Sequence, residues 1–389
     1  MNRVYLDYSA TTPLDPRVME AMVSVFANTF GNASSVHSFG REARAILEGS
    51  RESVARSIGG RPDEVFFTSG GTEADNHAIK GLAAAGARKG KNEIVTSAVE
   101  HHAVLLPVEA LSKAGFEVKV VPVDGFGRVD PADVKKAISS RTALISLMYA
   151  NNEVGTLNDI RAIGAIAREA GVPLHSDTVQ AAGKIAVDVN DLNVDVLSIS
   201  AHKFYGPKGI GAIYIRKGTQ IDSFVEGGAQ ESNRRAGTEN VPLAVGFAKA
   251  SELGQESLQR NLWHVRGLKN HLRILLESQF MGILFNGHPT ECLPQILSIS
   301  FDSSVAELDG DALIMGMDLK GVAVTSGSAC TSGSLQASHV LLALGRNEPT
   351  ARSTIRFSLG RETTTEELDF AVAALREVVG TAGKGRDSG

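Results

Sequence analysis

Short apolar runs alternate with amphipathic ones between residues 64 and 215, and this alternation restricts the fold more than any other feature of the chain. Residues 64–69, 93–96, 117–121, 143–148 and 173–176 read as strands, being rich in apolar and β-branched side chains. Residues 73–85, 104–114, 131–137 and 160–170 read as helices. Apolar strands joined through helices predict a mostly parallel sheet with helices on both faces, so the class is α/β. Such sheets bind ligands beyond the carboxyl ends of their strands. The chemical side chains gather there: Gly71 and Thr72, His101, Asn151 and Asn152, Asp177, and Ser200 to Lys203.

The run 194–199 delivers Ser200, His202 and Lys203 to a turn of small residues, and a second β-branched run leaves over 210–215. A lysine held between packed strands can be desolvated, which lowers its pKa and frees the amine to attack a carbonyl. That is the requirement of a Schiff-base lysine. For this segment alone, a solvated surface turn is the plainer alternative. Residues 68–72 join a strand to a helix, where free N–H groups and a hydroxyl suit a phosphate as well as an ordinary N-cap. Asp177, just past a buried strand, can keep a pyridine nitrogen protonated or cap a helix. Gln180 follows by three and can share one side of that turn. His101 can stack on a planar ring or move protons, and His102 beside it reads as structural.

Further along, Arg356 sits in an apolar strand, where an unpaired guanidinium is expensive. It needs an anion, either a bound substrate carboxylate or an internal salt bridge. Cys330 lies in the Ser- and Gly-rich stretch 326–334, which cannot pack as core. On a mobile, accessible loop a cysteine can present its thiolate as a nucleophile; otherwise it is an incidental thiol in a linker. Cys292 reads as structural or incidental.

The 389 residues are enough for a large domain and a smaller companion. We place the large domain at 15–255, a small domain at 1–14 and 256–380, and a flexible tail at 381–389. In the second half a helix is expected over 242–277 and strands over 297–301, 322–325 and 354–358. Helices over 304–319 and 365–379 complete a smaller α+β unit. A net charge of −5 argues against nucleic acid as the main partner. No apolar run approaches ~18 residues, as a membrane span would need. The amino end carries no secretory h-region. Two cysteines make no disulfide framework, and no Cys/His set has zinc spacing. A soluble, cytoplasmic protein without a metal is expected. The glycines at 206, 209 and 211 follow the lysine and have neither Rossmann nor P-loop spacing.

Seven stretches together resemble the cysteine desulfurases, pyridoxal-phosphate enzymes of the aspartate-aminotransferase fold (fold type I). They are Tyr5-Leu-Asp-Tyr-Ser-Ala-Thr-Thr, Thr68-Ser-Gly-Gly-Thr-Glu, Asn151-Asn-Glu-Val-Gly, Ser200-Ala-His-Lys, Arg234-Arg-Ala-Gly-Thr-Glu-Asn, Ser326-Gly-Ser-Ala-Cys-Thr-Ser and Ile355-Arg-Phe-Ser-Leu-Gly-Arg. They recur in family order along nearly the whole chain. The cysteine segment resembles the group with a long mobile loop, and the Arg-Arg-Ala-Gly-Thr-Glu-Asn stretch leans to the NifS-like branch over the IscS-like one.

The resemblance implies a seven-stranded sheet and the conversion of L-cysteine to L-alanine, with the sulfur left on Cys330 as a persulfide. Lys203 would hold pyridoxal phosphate. Gly71, Thr72, Ser200 and His202 would cup its phosphate, with Thr238 reaching in from the other subunit of a homodimer. Asp177 would pair with the ring nitrogen and Gln180 with the ring hydroxyl. His101 would stack on the ring and carry protons. Asn152, also beside the cofactor, and Arg356 would hold the substrate carboxylate. An acceptor protein such as an iron–sulfur scaffold, or a thiolation relay, would receive the sulfur. One departure is Gln230-Glu-Ser-Asn, where relatives commonly read Gln-Glu-Arg-Gly; it puts local loop contacts in doubt. A selenocysteine lyase and a non-catalytic assembly scaffold on the same fold are the rival readings.

Overall fold

The computed structural model describes residues 3–305, 308–327 and 337–382, with side chains to 380. The chain opens with β1 (Val4–Tyr5). Asp15 then caps the helix Pro16–Asn28: its carboxylate accepts from Arg17 N, and Pro16 fills a first-turn position whose N–H would have no helical partner.

Strands β2 (Val65–Thr68), β3 (Glu93–Ser97), β4 (Glu117–Val121), β5 (Thr142–Ser146), β6 (Leu174–Asp177), β7 (Val196–Ser200) and β8 (Gly211–Ile215) form one seven-stranded sheet. Their order is β2-β8-β7-β6-β5-β3-β4. Only β8 is antiparallel to its neighbours, β2 and β7. Every residue of β2, β3, β5, β6, β7 and β8 is buried, which explains their unbroken apolar runs. Alternate side chains feed two cores: Val65 and Phe67 enter one, Phe66 the other, where it meets Ala74, Ala78 and Leu82 of the helix Gly71–Ala87. Edge strand β4 is only partly covered and carries Glu117 and Lys119, charges that discourage pairing with another chain.

The helix Val241–Gln279 spans two hydrophobic cores. Val241, Ala244 and Phe247 pack under the large sheet, whereas Leu268, Leu272 and Leu276 join a core of Leu6, Ile299, Phe357 and Leu375. This second core is built on β9 (Ile283–Phe285), β10 (Ile296–Phe301), β11 (Val322–Ala323) and β12 (Thr354–Ser358). The order β12-β10-β9 is antiparallel, and β1 pairs with β11 in parallel. Amino- and carboxyl-terminal segments therefore meet, and Asp7 bridges to Ser358.

Several local expectations are corrected. The helix expected over 304–319 begins at Gly310, because the Asp309 carboxylate caps it by accepting from Asp311 N and Ala312 N. The strand expected over 322–325 shortens to β11. Two short helices, His339–Ala343 and Glu348–Arg352, were not anticipated. Within Gln230–Asn233, Glu231, Ser232 and Asn233 have φ of 45°, 54° and 63°, a left-handed turn.

Candidate active site

One cavity of about 300 Å³ opens at the carboxyl ends of the parallel strands. It is lined by Gly71, Thr72, His101, Asn152, Asp177, Gln180, Ser200, His202, Lys203 and Arg356. Asn151, Thr238 and Cys330 are the sequence-derived candidates not among these lining residues; Asn151 instead is buried, its Oδ1 accepting from Glu153 N and Val154 N. Thr238 lines a separate concavity with Ser69, Gly209 and Glu239. Cys330 lies outside the described residues, although Thr325 and Gly327, just before it, line the main cavity.

Lys203 ends the single turn Ala201–Lys203 that follows β7. Its Nζ donates to the backbone carbonyls of Ser9 at 2.8 Å and Ala10 at 2.9 Å. Burial, reinforced by the nearby Arg356 cation, pulls the amine down to about 8, with Asp177 and Asp7 opposing. Close backbone approach builds the neighbouring cup. A Cβ at Gly211 would stand 2.7 Å from Gly70 C, so a glycine on β8 lets the start of the helix Gly71–Ala87 sit beside Ser200. His202 lies 3.1 Å from Thr11 Oγ1, and burial followed by Lys203 lowers it to about 4, leaving a neutral imidazole.

Asp177 ends β6, its Oδ1 accepting from Val179 N at 2.8 Å. Burial and then the Asp75 carboxylate raise its pKa. Gln180 Nε2 donates to Ser9 O at 2.9 Å, and its Oε1 accepts from Lys184 Nζ at 3.0 Å. His101 caps the helix His102–Lys113, Nδ1 accepting from Ala103 N at 3.1 Å, which leaves the proton on Nε2. Arg356 Nη1 donates to Asn152 O at 2.7 Å and Nη2 to Asp7 Oδ1 at 2.8 Å, while Nε is buried without a partner. The internal salt bridge weighed for this arginine is present, and the guanidinium keeps unused donors beside the cavity.

Sequence reasoning missed Asp7, Asp75 and Glu100. Asp75 lines the cavity one helical turn after Gly71, a spacing that could have flagged it. Its Oδ1 stands 3.4 Å from His175 Nε2 and has no hydrogen bond. Burial pushes Asp75 to about 7 and Glu100 to about 8. Burial lowers His175, between Ser146 and Ser198, to about 4. His102 faces His339, ring centroids 4.9 Å apart. Cys292 is not among the lining residues; its Sγ accepts from Lys269 Nζ at 3.1 Å.

The cavity suits pyridoxal phosphate on its own chemistry: a partly buried, easily deprotonated amine, and a buried acid at hand for a cationic ring. Beside them lie a helix start and small hydroxyl side chains for an anion. Fold and cavity together define a fold type I pyridoxal-phosphate enzyme. The model of the aminotransferase class-V family matches residues 4–370. The chain is 48% identical over 376 residues to the cysteine desulfurase IscS of Dictyoglomus turgidum, covering 97% of this chain and 94% of that one. It is 44% identical over 382 residues to the cysteine desulfurase IscS of Methanosarcina thermophila, covering 97% and 92%. A solved NifS-like protein superposes with a TM-score of 0.90 at 38% identity, over 98% of this chain and 100% of that one. The chain belongs to the class-V aminotransferase family and, within it, to the cysteine desulfurases. Among the described residues, no helix is long and apolar enough to cross a membrane.

Proposed function

We propose that this cavity converts L-cysteine to L-alanine and leaves the sulfur on Cys330 as a persulfide, with Lys203 and Cys330 as its two reactive groups. The observation that carries the reading is the Lys203 amine, partly buried and lowered to about 8, on the same cavity as Asp177 and Arg356. Gly327 lines it too, three residues before Cys330. Three residues of extended chain reach about 10 Å, so the thiol can come within range of the cavity.

Lys203 would anchor the cofactor, Gly71, Thr72, Ser200 and His202 would hold its phosphate, and Asp177 and Gln180 would take the ring nitrogen and the ring hydroxyl. When bound, pyridoxal phosphate supplies an electron sink for charge at the substrate Cα and weakens the Cβ–Sγ bond. Arg356 and Asn152 orient the substrate carboxylate. Lys203, as a free amine, would take the Cα proton. His101 would stack on the ring and move protons through Nε2; burial lowers its pKa, so the imidazole starts neutral. The Cys330 thiolate attacks the substrate sulfur: an S–S bond forms, the Cβ–Sγ bond breaks with its electron pair left on carbon, and a proton completes alanine.

A homodimer completes the site, with Thr238 serving the other subunit. The concavity around Thr238 supports this, because Thr238 is exposed there and stands off the main cavity. The residues 15–255 act as the large, cofactor-binding domain, and 1–14 with 256–380 as the small one. The sulfur passes to a cytoplasmic acceptor protein such as an iron–sulfur scaffold.

The test is Cys330→Ala. It should abolish alanine formation from cysteine while keeping the yellow, borohydride-sensitive cofactor. Undiminished turnover would favour a lyase that needs no protein persulfide. A colourless wild-type protein in excess pyridoxal phosphate would refute the enzyme reading altogether.

A further inference from the structure

Glu153 is a buried carboxylate that the reaction above does not use. It is 5% exposed, and no lysine or arginine pairs with it among the described residues. It follows Asn152 in the turn whose carbonyl holds Arg356. Asn151 shapes that turn by accepting from Glu153 N at 2.8 Å and Val154 N at 2.9 Å through its Oδ1.

The Glu153 side chain lies between the two ends of the segment that carries Cys330, hydrogen-bonded to one and close to the other. Ser338 Oγ donates to Glu153 Oε2 while accepting from Val340 N as the cap of the helix His339–Ala343. On the other side, a Cβ placed on Gly327 would stand 3.2 Å from the same Oε2 and 3.3 Å from Glu153 Cβ. Gly327 has φ +93°, so a glycine is needed there for conformation as well as space. Each end has a second tie into the site. Thr325 O accepts from Arg356 N at 2.6 Å, and His339 Nε2 donates to the Glu100 carbonyl at 2.9 Å. Val154 packs with Val340, Leu341 and Leu344, so the turn and the returning helix share an apolar cluster.

We propose that Glu153 is a positioning residue for sulfur transfer: its carboxylate ties the Ser338 end of the cysteine-bearing segment to the turn that carries Asn152, and its side chain limits where the Gly327 end can sit. This fixes where the thiol starts its approach without touching substrate or cofactor. A fixed origin matters because a misplacement of about 1 Å can cost on the order of 100-fold in rate. The proposal rests on the desulfurase reading, and its prediction separates two halves of one turnover. Handling of the Cα proton by Lys203 does not need the positioned segment, whereas persulfide formation on Cys330 does.

The experiment is a single turnover of the holoenzyme with L-cysteine, following the cofactor absorbance change and the persulfide on Cys330 by mass. Glu153→Ala should slow persulfide formation by about 10- to 100-fold and leave the absorbance change within about twofold. Glu153→Gln keeps an acceptor for Ser338 and should restore the rate to within about threefold of wild type. Gly327→Ala, which perturbs the opposite end, should reproduce the split and serves where Glu153→Ala does not fold. Equal slowing of both phases, wild-type persulfide rates in Glu153→Ala, or failure of Glu153→Gln to restore the rate would each overturn the proposal. A wild-type enzyme that forms no persulfide would instead overturn the desulfurase reading beneath it.

Discussion

Asp7 and Arg356, 349 positions apart in the chain, form an ion pair at 2.8 Å at the mouth of the cavity. Asp7 bridges to Ser358 just after β1, and Arg356 lies in β12, so pairing of the chain's two ends brings the charges together. Asp7 keeps the guanidinium satisfied while its remaining donors wait for a substrate carboxylate.

Removing Asp7 leaves Arg356 with the Asn152 carbonyl alone. Breaking a buried pair costs on the order of 3–5 kcal/mol, but the Asp7 side chain is 21% exposed. With that screening, Asp7→Ala should lose about 2 kcal/mol in urea unfolding of the apoprotein. L-Alanine should recover part of the loss by offering the guanidinium its carboxylate, whereas glycerol should not. A variant as stable as wild type would show that the pair is dispensable.

The Lys203 amine, lowered to about 8, is the nucleophile that captures the cofactor. The capture rate of pyridoxal phosphate by the apoprotein should therefore rise with pH around a midpoint near 8, well below the ordinary lysine value of about 10.4. Stopped-flow absorbance across pH 6.5–10 checks this. A rate still climbing steeply above pH 9.5 would mean an ordinary amine.

Asp75 is held at about 7, against about 3.9 for a free aspartate. The folded state keeps its proton longer than the unfolded chain does. Asp75 therefore lends stability that is full below about pH 3.9 and drains away as pH rises through about 7. Asp75→Asn removes that drain. Relative to wild type, the apo variant should gain stability progressively from about pH 4 to about pH 7 and then hold a constant advantage. Parallel urea titrations at pH 5, 6, 7 and 8 would reveal a flat difference if Asp75 titrates normally.

The left-handed turn at Glu231, Ser232 and Asn233 is held by a buried bidentate pair. Glu231 accepts from Arg51 through both oxygens and from Phe67 N at 2.8 Å. A left-handed conformation costs a side-chain-bearing residue about 1–2 kcal/mol, so Asn233→Gly, at φ 63°, should stabilise the protein by about 0.5–1 kcal/mol. Glu231→Ala should cost about 3–5 kcal/mol by orphaning Arg51. Thermal melts showing the opposite order would refute this account of the turn.

How much of the site could be read in advance depended on the range of the contact. The lysine turn between two β-branched runs, Asp177 at a strand end and Arg356 within a strand each carry a local signature, and all three line the cavity. Asp75 sits inside a helix, where a polar residue ordinarily means a solvated face, and only its spacing from Gly71 marks it. The carbonyls of Ser9 and Ala10 that hold the Lys203 amine belong to backbone, which no side-chain pattern marks. Gln230-Glu-Ser-Asn gave no sign of a left-handed turn, because Arg51, the residue that fixes it, is 180 positions away.

Sequence by itself determined what periodicity and local chemistry govern: the alternation that makes a covered parallel sheet, the caps that start its helices, and the motifs that mark the family. Tertiary structure alone decided which charges face one another. Asp7 on Arg356, Glu231 on Arg51 and Glu153 between Gly327 and Ser338 arise from chain segments brought together by packing. The physical reason is that desolvation and pairing are set by every surrounding atom, and most of those atoms come from elsewhere in the chain.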